Sequence, residues 1–334
     1  MSDTNRYFFQ RSIHNNEQRS RLPYVAVAAG ALCLAFVPAL RTAENAEFPG
    51  EPRVSITPRA PRPSNANARN PATIRLDVKA VLVPVTVTDA GDRPVEGLRK
   101  EDFQVFEDDV KQQIISYSME DVPASVGLVF DSSGSMSNKI IPSVDAVEQF
   151  FQTTLPGDEF ALVRFSDRPQ FIGGFTPNIG EVSRWLHSLR AAGWTALNDA
   201  IYLGIQKMKG AKNARKVILV LSDGGDNNSR YSSREIRELV REAGVGIYSI
   251  SFYQGSRLLE GISDETGGRL IHVHHLSDLP GAIEKLSRAI RSQYVLSYYS
   301  TKSQNDGKYH RVRVALNQPA LRISWRHGYY APLD

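Results

Sequence analysis

The chain has 334 residues, 41% of them hydrophobic, which is enough for one large folded domain or two smaller ones. It has 40 basic and 36 acidic residues, and residues 1–70 account for the whole excess with nine basic and five acidic side chains. Because the rest of the chain is formally neutral, we do not expect it to bind nucleic acid.

The N-terminal part is predicted to lie outside the folded region. Residues 24–40 are uncharged and mostly apolar, at the short end of what crosses a bilayer as a helix. Several arginines precede this run and one closely follows it, so the positive-inside bias places residues 1–23 in the cytoplasm and the rest of the chain outside. Residues 41–73, rich in Pro, Arg, Asn and Ala, are expected to form an extended linker.

Cleavage after the apolar run is left open by the sequence. Val37-Pro38-Ala39 resembles a small-residue cleavage site, whereas the long segment before the run favours an uncleaved anchor. The folded region is therefore expected to be extracytoplasmic. It is either anchored to a membrane through this segment, or secreted or periplasmic after cleavage.

The two ends of the remaining chain have the pattern of β-strands. Val81, Val83, Val85 and Val87 alternate with other residues, which is typical of a strand with one buried face. Further short strands are predicted in two groups, at 103–106 and 113–117 and at 310–316 and 322–325. Since isolated hairpins are marginal in water, the flanks at 74–120 and 296–334 are predicted to form one β-rich unit.

Between the flanks, residues 121–295 alternate between strand and helix patterns. Short apolar runs at 126–130 and 217–221 are typical of strands that are covered on both faces. Helical spacing follows at 197–208 and again at 279–290. This order predicts an α/β fold with a doubly wound, mostly parallel sheet and helices on both faces.

Three polar segments lie at the ends of these elements, two of them directly after the apolar runs and one directly before the first helical segment, so their oxygen atoms could meet. In such sheets, ligands collect beyond the carboxyl ends of the strands. Hard cations such as Mg2+ prefer oxygen donors, and Ca2+ accepts looser oxygen shells. The side chains that we predict to form a divalent-cation site are two carboxylates and three hydroxyls, from Asp131, Ser133, Ser135, Thr195 and Asp223.

These motifs resemble a known family. The sequences DSSGS, GWTALNDAI and VILVLSDGGD are similar, in order and context, to the Rossmann-like von Willebrand factor type A domain with its metal-ion-dependent adhesion site. The resemblance implies that Ser133, Ser135 and Thr195 bind the metal through their hydroxyls. It also implies that Asp131 and Asp223 act directly or through water.

One position departs from the family pattern. Trp194 stands where many relatives have the second glycine of Gly-Gly-Thr. We therefore predict that Trp194, together with Gly134 and Asp226, belongs to the rim that faces a partner. The indole of Trp194 either contacts the partner or packs beneath the loop, and the sequence does not separate these alternatives.

The flanks extend the resemblance to bacterial exported proteins in which β segments bracket a type A domain. The stretches that carry it are VTVTDAGDRPVEGLRKEDFQVFEDD and RHGYYAP. It implies a non-enzymatic, adhesion-type binding protein that holds one Mg2+, or Mn2+ or Ca2+, per type A domain. The implied partner is a protein or peptide with an exposed carboxylate.

Two alternatives from other classes stay open. A metal-dependent hydrolase would need an activated nucleophile, but Ser135 lacks a G-x-S-x-G setting and Lys139 follows it by four residues where S-x-x-K needs three. A type A subunit that works with an ATPase in an assembly complex would have to lie in the cytoplasm. The predicted export segment argues against that location.

Overall fold

The computed structural model describes residues 80–119, 121–253, 256–302 and 305–333. The predicted cytoplasmic segment, apolar run and linker at 1–73 lie outside the described residues. Within the described ranges, no helix is both long enough and apolar enough to cross a membrane.

The secondary structure elements are as follows, in chain order. The first flank contains β1 (Val81–Thr88), β2 (Phe103–Glu107), β3 (Val110–Gln112) and β4 (Ile114–Ser118). The middle region contains β5 (Ala124–Asp131), α1 (Ile140–Phe151), β6 (Glu159–Phe165), β7 (Pro169–Thr176), α2 (Ile179–His187), α3 (Leu197–Met208), β8 (Arg215–Ser222), α4 (Ser233–Ala243), β9 (Gly246–Phe252), α5 (Arg257–Glu265), β10 (Arg269–Val273) and α6 (Leu279–Arg291). The last flank, which in the structure begins two residues before the predicted boundary at 296, contains β11 (Tyr294–Tyr298), β12 (Tyr309–Leu316), β13 (Arg322–Trp325) and β14 (Gly328–Tyr330).

The middle region forms the predicted doubly wound sheet. Its strand order is β10-β9-β8-β5-β6-β7, and all neighbours are parallel except β6 and β7. One face packs against α1, α2 and α6, and the other packs against α3, α4 and α5. Because both faces are covered, every residue of β5 is buried. This confirms the prediction, from the apolar run at 126–130, of a strand that is covered on both faces.

The connections place a topological switch point at β5. The chain leaves β5 through α1 on one face to reach β6, and it reaches β8, on the other side of β5, after α3 on the opposite face. The loops therefore diverge at the carboxyl end of β5 and leave a crevice there, where ligands of such sheets bind.

The flanks form a second, all-β region, as predicted. One sheet has the order β13-β1-β11-β4, and the other has the order β14-β12-β2-β3. Strand β1 pairs antiparallel with β11, and β2 pairs antiparallel with β12, so each sheet combines both ends of the folded region. The two sheets share a core that includes Val85, Val105, Leu296 and Val314.

A polar network crosses this β region. Glu107, at the end of β2, is fully buried, and its carboxylate accepts hydrogen bonds from the hydroxyls of Tyr298 at 2.6 Å and Tyr329 at 3.2 Å. The hydroxyl of Ser300 donates to the other carboxylate oxygen. These bonds compensate the carboxylate for its loss of water, and they connect β2 and β14 of one sheet with β11 of the other.

His310 lies beside this carboxylate. Its Nδ1 is 2.9 Å from Asp108 Oδ2 and its Nε2 is 3.1 Å from Asp306 Oδ1, so both ring nitrogens face carboxylate oxygens, an arrangement that favours the protonated imidazolium. Burial opposes that charge, but the two carboxylates outweigh it and raise the pKa of His310. Glu107, Asp108 and His310 are close enough to one another to hold a metal, but their hydrogen bonds give the cluster a structural role.

We expect His310 to make thermal stability fall at alkaline pH. Its contribution is fully present below about pH 6.5, the usual value for the unfolded chain, and is lost as pH rises through the raised pKa of the folded state. The melting temperature of His310→Gln should therefore change less between about pH 6 and pH 9 than that of the wild type. His274→Gln, at an exposed position after β10, is the control. Identical pH profiles for wild type and His310→Gln would contradict this assignment.

Candidate metal centre

The three predicted motifs meet at the carboxyl end of the central sheet. Asp131 is the last residue of β5, and Asp223 directly follows β8. Backbone hydrogen bonds join the loops, because Gly134 N donates to Gly193 O at 3.0 Å and Asn227 N donates to Thr195 O at 3.0 Å. The loops are thus fixed relative to one another by main-chain contacts.

Asp131 is the buried anion of the site. Its relative exposure is 0%, and its carboxylate accepts hydrogen bonds from Ser133 N at 2.8 Å and from the Ser222 hydroxyl at 2.6 Å. Burial raises the pKa of Asp131, the two serines oppose this rise, and the nearby charge of Asp223 adds to it. A cation at this position would offset the cost of burying the charge.

Two serine hydroxyls lie next to each other in the following turn. Ser133 immediately precedes a short 3-10 turn over Gly134–Met136 without a capping bond from its side chain, and its Oγ is 3.2 Å from Ser135 Oγ. Ser133 is buried and Ser135 is exposed, so the pair extends from the interior to the surface. Neighbouring neutral oxygens of this kind suit the coordination shell of a hard cation.

Thr195 is held in place from both sides of its peptide unit. It is buried, its N–H donates to Asn227 Oδ1 at 2.8 Å, and its carbonyl accepts from the backbone of Asn227. Gly193, two residues earlier, has a φ of 79°, and a Cβ there would lie 2.6 Å from Asp167 Oδ2. Glycine is therefore required at this turn for its conformation and for its small size.

Asp223 is paired with a buried lysine. Lys139 Nζ lies 3.0 Å from Asp223 Oδ2 and donates to Ser135 O at 2.7 Å, and Lys139 is 6% exposed. The ring centroid of Tyr253 lies 5.3 Å from the same nitrogen. The Lys139 ammonium thus contacts both the loop after β5, through Ser135, and the loop after β8, through Asp223.

The predicted rim is exposed, and its members differ in role. Trp194 is 65% exposed, so its indole does not pack beneath the loop, and its backbone N–H donates to Asp167 Oδ1 at 2.7 Å. Gly134 is also exposed. Asp226 accepts from the backbone N–H of Asn198 at 3.2 Å, in the first turn of α3, so its carboxylate helps to hold the loop.

Several residues of the site were not predicted from the sequence. Those that fix the loops by hydrogen bonds or an ion pair are Lys139, Asp167, Asp199, Ser222 and Asn227. Asp199, for example, accepts from the backbone of Arg230 at 2.9 Å and of Tyr231 at 3.1 Å, which orders the loop after β8. Ser222 is the last residue of β8, and Asp167 lies two residues after β6. Their positions at the carboxyl ends of strands are the sequence feature that could have indicated a role in the site.

The donor set fits a divalent cation. It contains two carboxylates and three hydroxyls and consists of oxygen alone, which suits Mg2+, Mn2+ or Ca2+ better than a metal that prefers sulfur or imidazole. Burial raises the pKa of the Asp131 carboxyl, and a cation bound beside it would stabilise its charged form.

Comparison with known proteins finds a family match within the middle region and relatives that align with about half of the chain. Residues 126–225 match the family described as von Willebrand factor type A domain. Human inter-alpha-trypsin inhibitor heavy chain H4 is 28% identical over an alignment of 175 residues that covers 47% of this chain and 19% of the relative. Bovine inter-alpha-trypsin inhibitor heavy chain H3 is 26% identical over an alignment of 201 residues that covers 53% of this chain and 22% of the relative. The chain thus spans about a fifth of the length of these curated relatives.

A solved structure is similar over a longer part of the chain. The von Willebrand factor type A protein from Catenulispora acidiphila has a TM-score of 0.47 and 12% sequence identity. The match covers 78% of this chain and 75% of that chain.

Proposed function

We propose that this chain, which contains a von Willebrand factor type A domain matched at residues 126–225, is a metal-dependent, adhesion-type binding protein. A divalent cation at the carboxyl end of the central sheet would capture an acidic group of a protein or peptide partner. The observation that carries the proposal is the fully buried Asp131 carboxylate beside the Ser133 and Ser135 hydroxyls.

Each residue of the set has a distinct task in this proposal. Asp131 and Asp223 supply the negative charge, and Ser133, Ser135 and Thr195 supply neutral oxygens. Bound at these oxygens, the cation would offer a coordination position that exchanges water for a carboxylate. Ser222 and Asn227 keep Asp131 and Thr195 in place through the hydrogen bonds described above, and the exposed Trp194 borders the position where a partner would arrive.

Binding is favoured over hydrolysis by the contacts of Ser135. Lys139 donates to the backbone carbonyl of Ser135 and to Asp223, so its ammonium does not act as a base on the Ser135 hydroxyl. The neighbour of that hydroxyl is the hydroxyl of Ser133, at 3.2 Å. Because neither the Ser133 hydroxyl nor the Lys139 ammonium can accept the proton of Ser135, we assign the Ser135 hydroxyl as a metal ligand and not as a nucleophile.

The proposal includes an extracytoplasmic location and one Mg2+ or Mn2+ per type A domain, with Ca2+ as a further candidate. The apolar run at 24–40 and the arginines before it support export, with the segment kept as a membrane anchor or removed. A folded region found in the cytoplasm would favour the alternative of a subunit that works with an ATPase.

The proposal can be tested with Mn2+ as a paramagnetic probe and the full chain. Water-proton relaxation should increase when Mn2+ binds. It should then decrease when a short peptide with a single Asp displaces water from the ion, whereas the same peptide with Asn should have no effect. Thr195→Ala should weaken Mn2+ binding about tenfold, because one oxygen donor is lost. Thr195→Ser should retain most of it.

Two results would argue against this function. One is equal effects of the Asp and Asn peptides on the relaxation of bound Mn2+, which would mean that carboxylates do not reach the ion. The other is metal-dependent hydrolysis that is lost in Ser135→Ala, which would favour the hydrolase.

A further inference from the structure

Lys139 is a buried cation inside a site that is proposed to bind a cation. Its Nζ lies 3.0 Å from Asp223 Oδ2, 2.7 Å from Ser135 O and 5.3 Å from the ring centroid of Tyr253. Lysine is rarely buried unless its charge is paired, and the pairing here is with one of the two proposed metal-binding carboxylates. The charge of Asp223 is thus already partly compensated by the protein itself.

This pairing changes the charge balance of the site. Asp131 and Asp223 together carry two negative charges, and the ammonium of Lys139 leaves a net charge of minus one. A divalent cation would then give a net charge of plus one, whereas a site without the lysine would become neutral. At a buried site the effective dielectric constant is low, so one unit of charge has a large effect on the binding of ions.

We propose that Lys139 is a built-in counter-cation that weakens divalent-metal binding and strengthens the binding of a carboxylate by the metal-loaded site. The inference rests on the proposed function, and it assigns to Lys139 the choice of an anionic partner. The ammonium repels the incoming metal and competes with it for Asp223. The same positive charge attracts the carboxylate once the metal is in place.

The position of Lys139 supports a permanent role. It immediately precedes α1, and its bond to the Ser135 carbonyl connects the helix start to the loop that carries the two serine hydroxyls. The face of the Tyr253 ring provides a further favourable contact for the ammonium. These contacts hold the charge beside Asp223 without using any hydroxyl of the donor set.

The test measures two affinities in the full chain of Lys139→Met, which keeps an unbranched apolar side chain but removes the charge. Mn2+ affinity, from electron paramagnetic resonance of the free ion, should increase at least about tenfold. Affinity of the Mn2+-loaded protein for the single-Asp peptide should decrease about tenfold. Lys139→Arg, which keeps the charge, should leave both affinities closer to those of the wild type.

A purely structural lysine would give a different pattern. Its loss would lower both affinities together, or lower only the melting temperature, and either result would overturn the inference. Lys139→Gln removes the charge but keeps a donor for the Ser135 carbonyl, and it replaces Lys139→Met if that variant does not fold. Wild-type protein that binds no Mn2+ would overturn the proposed function itself. Equal Mn2+ affinity in wild type and variant would overturn only the role of Lys139.

Discussion

Asp131→Ala is expected to abolish divalent-cation binding while the central sheet stays folded. Asp131 is the most deeply buried charge of the site, and its carboxylate bridges the loop after β5 and the end of β8 through Ser133 and Ser222. A ligand that binds only the folded state stabilises it by about 2.7 kcal/mol at a concentration of 100 times its dissociation constant. Saturating Mg2+ should therefore raise the melting temperature of the wild type by several degrees and leave that of Asp131→Ala unchanged.

The control is a second carboxylate in the same part of the fold. Asp145 is exposed on α1, the helix that begins after the loop with Ser133 and Ser135. Asp145→Ala changes the net charge by the same amount and should retain the full response to Mg2+. Equal stabilisation of Asp131→Ala and Asp145→Ala by Mg2+ would show that the ion binds elsewhere.

The architecture of the middle region could be predicted because its signals are local. The apolar run at 126–130 has no alternation, and a strand covered on both faces needs none. Such runs, separated by segments with helical spacing, define a doubly wound sheet before any contact is known. The predicted meeting of the three motifs follows from the same logic, since all of them follow strands or precede helices at one edge.

The hydrogen-bond and ion-pair partners of the site residues could not be predicted, because the paired residues lie far apart along the chain. Lys139 and Asp223 are 84 positions apart, and so no spacing rule connects them. In the sequence, Lys139 follows Ser135 by four residues, and this spacing gives no indication of its ion pair with Asp223. Likewise, the Ser222 hydroxyl reaches Asp131 because β5 and β8 are neighbours in the sheet, a fact that only the fold reveals.

For the flanks, the strands were predicted but their pairing was not. Alternation in β1 and β12 indicates strands with one buried face, and it gives no indication of which strand lies beside which. The structure pairs β2 with β12 and places β1 between β11 and β13. The paired strands come from opposite ends of the folded region. Their pairing depends on the shared core and on contacts such as those of Glu107, which form only when the chain folds.

The flanks should depend on each other for folding, and Val314→Asp tests this most strongly. Val314 is buried in β12 opposite Val105 of β2, within the core that the two flank sheets share. An unpaired carboxylate at that position is expected to cost about 3–5 kcal/mol, because no group compensates its loss of water. This is a large part of the roughly 5–15 kcal/mol that stabilises a typical folded protein. We therefore expect exposure of the β1 and β2 faces and aggregation, measured by urea unfolding and light scattering.

Ala315→Asp is the matched control for this prediction, since adjacent residues of a strand point to opposite faces. Ala315 is partly exposed and pairs with Gln104, so the new carboxylate stays hydrated and should change stability by no more than about 0.5 kcal/mol. Truncation before β12 should resemble Val314→Asp, because it removes the partner of β2 and the edge strand beside β1 together. A truncated protein that remains soluble and melts like the wild type would show that the N-terminal flank and the middle region fold without β12–β14.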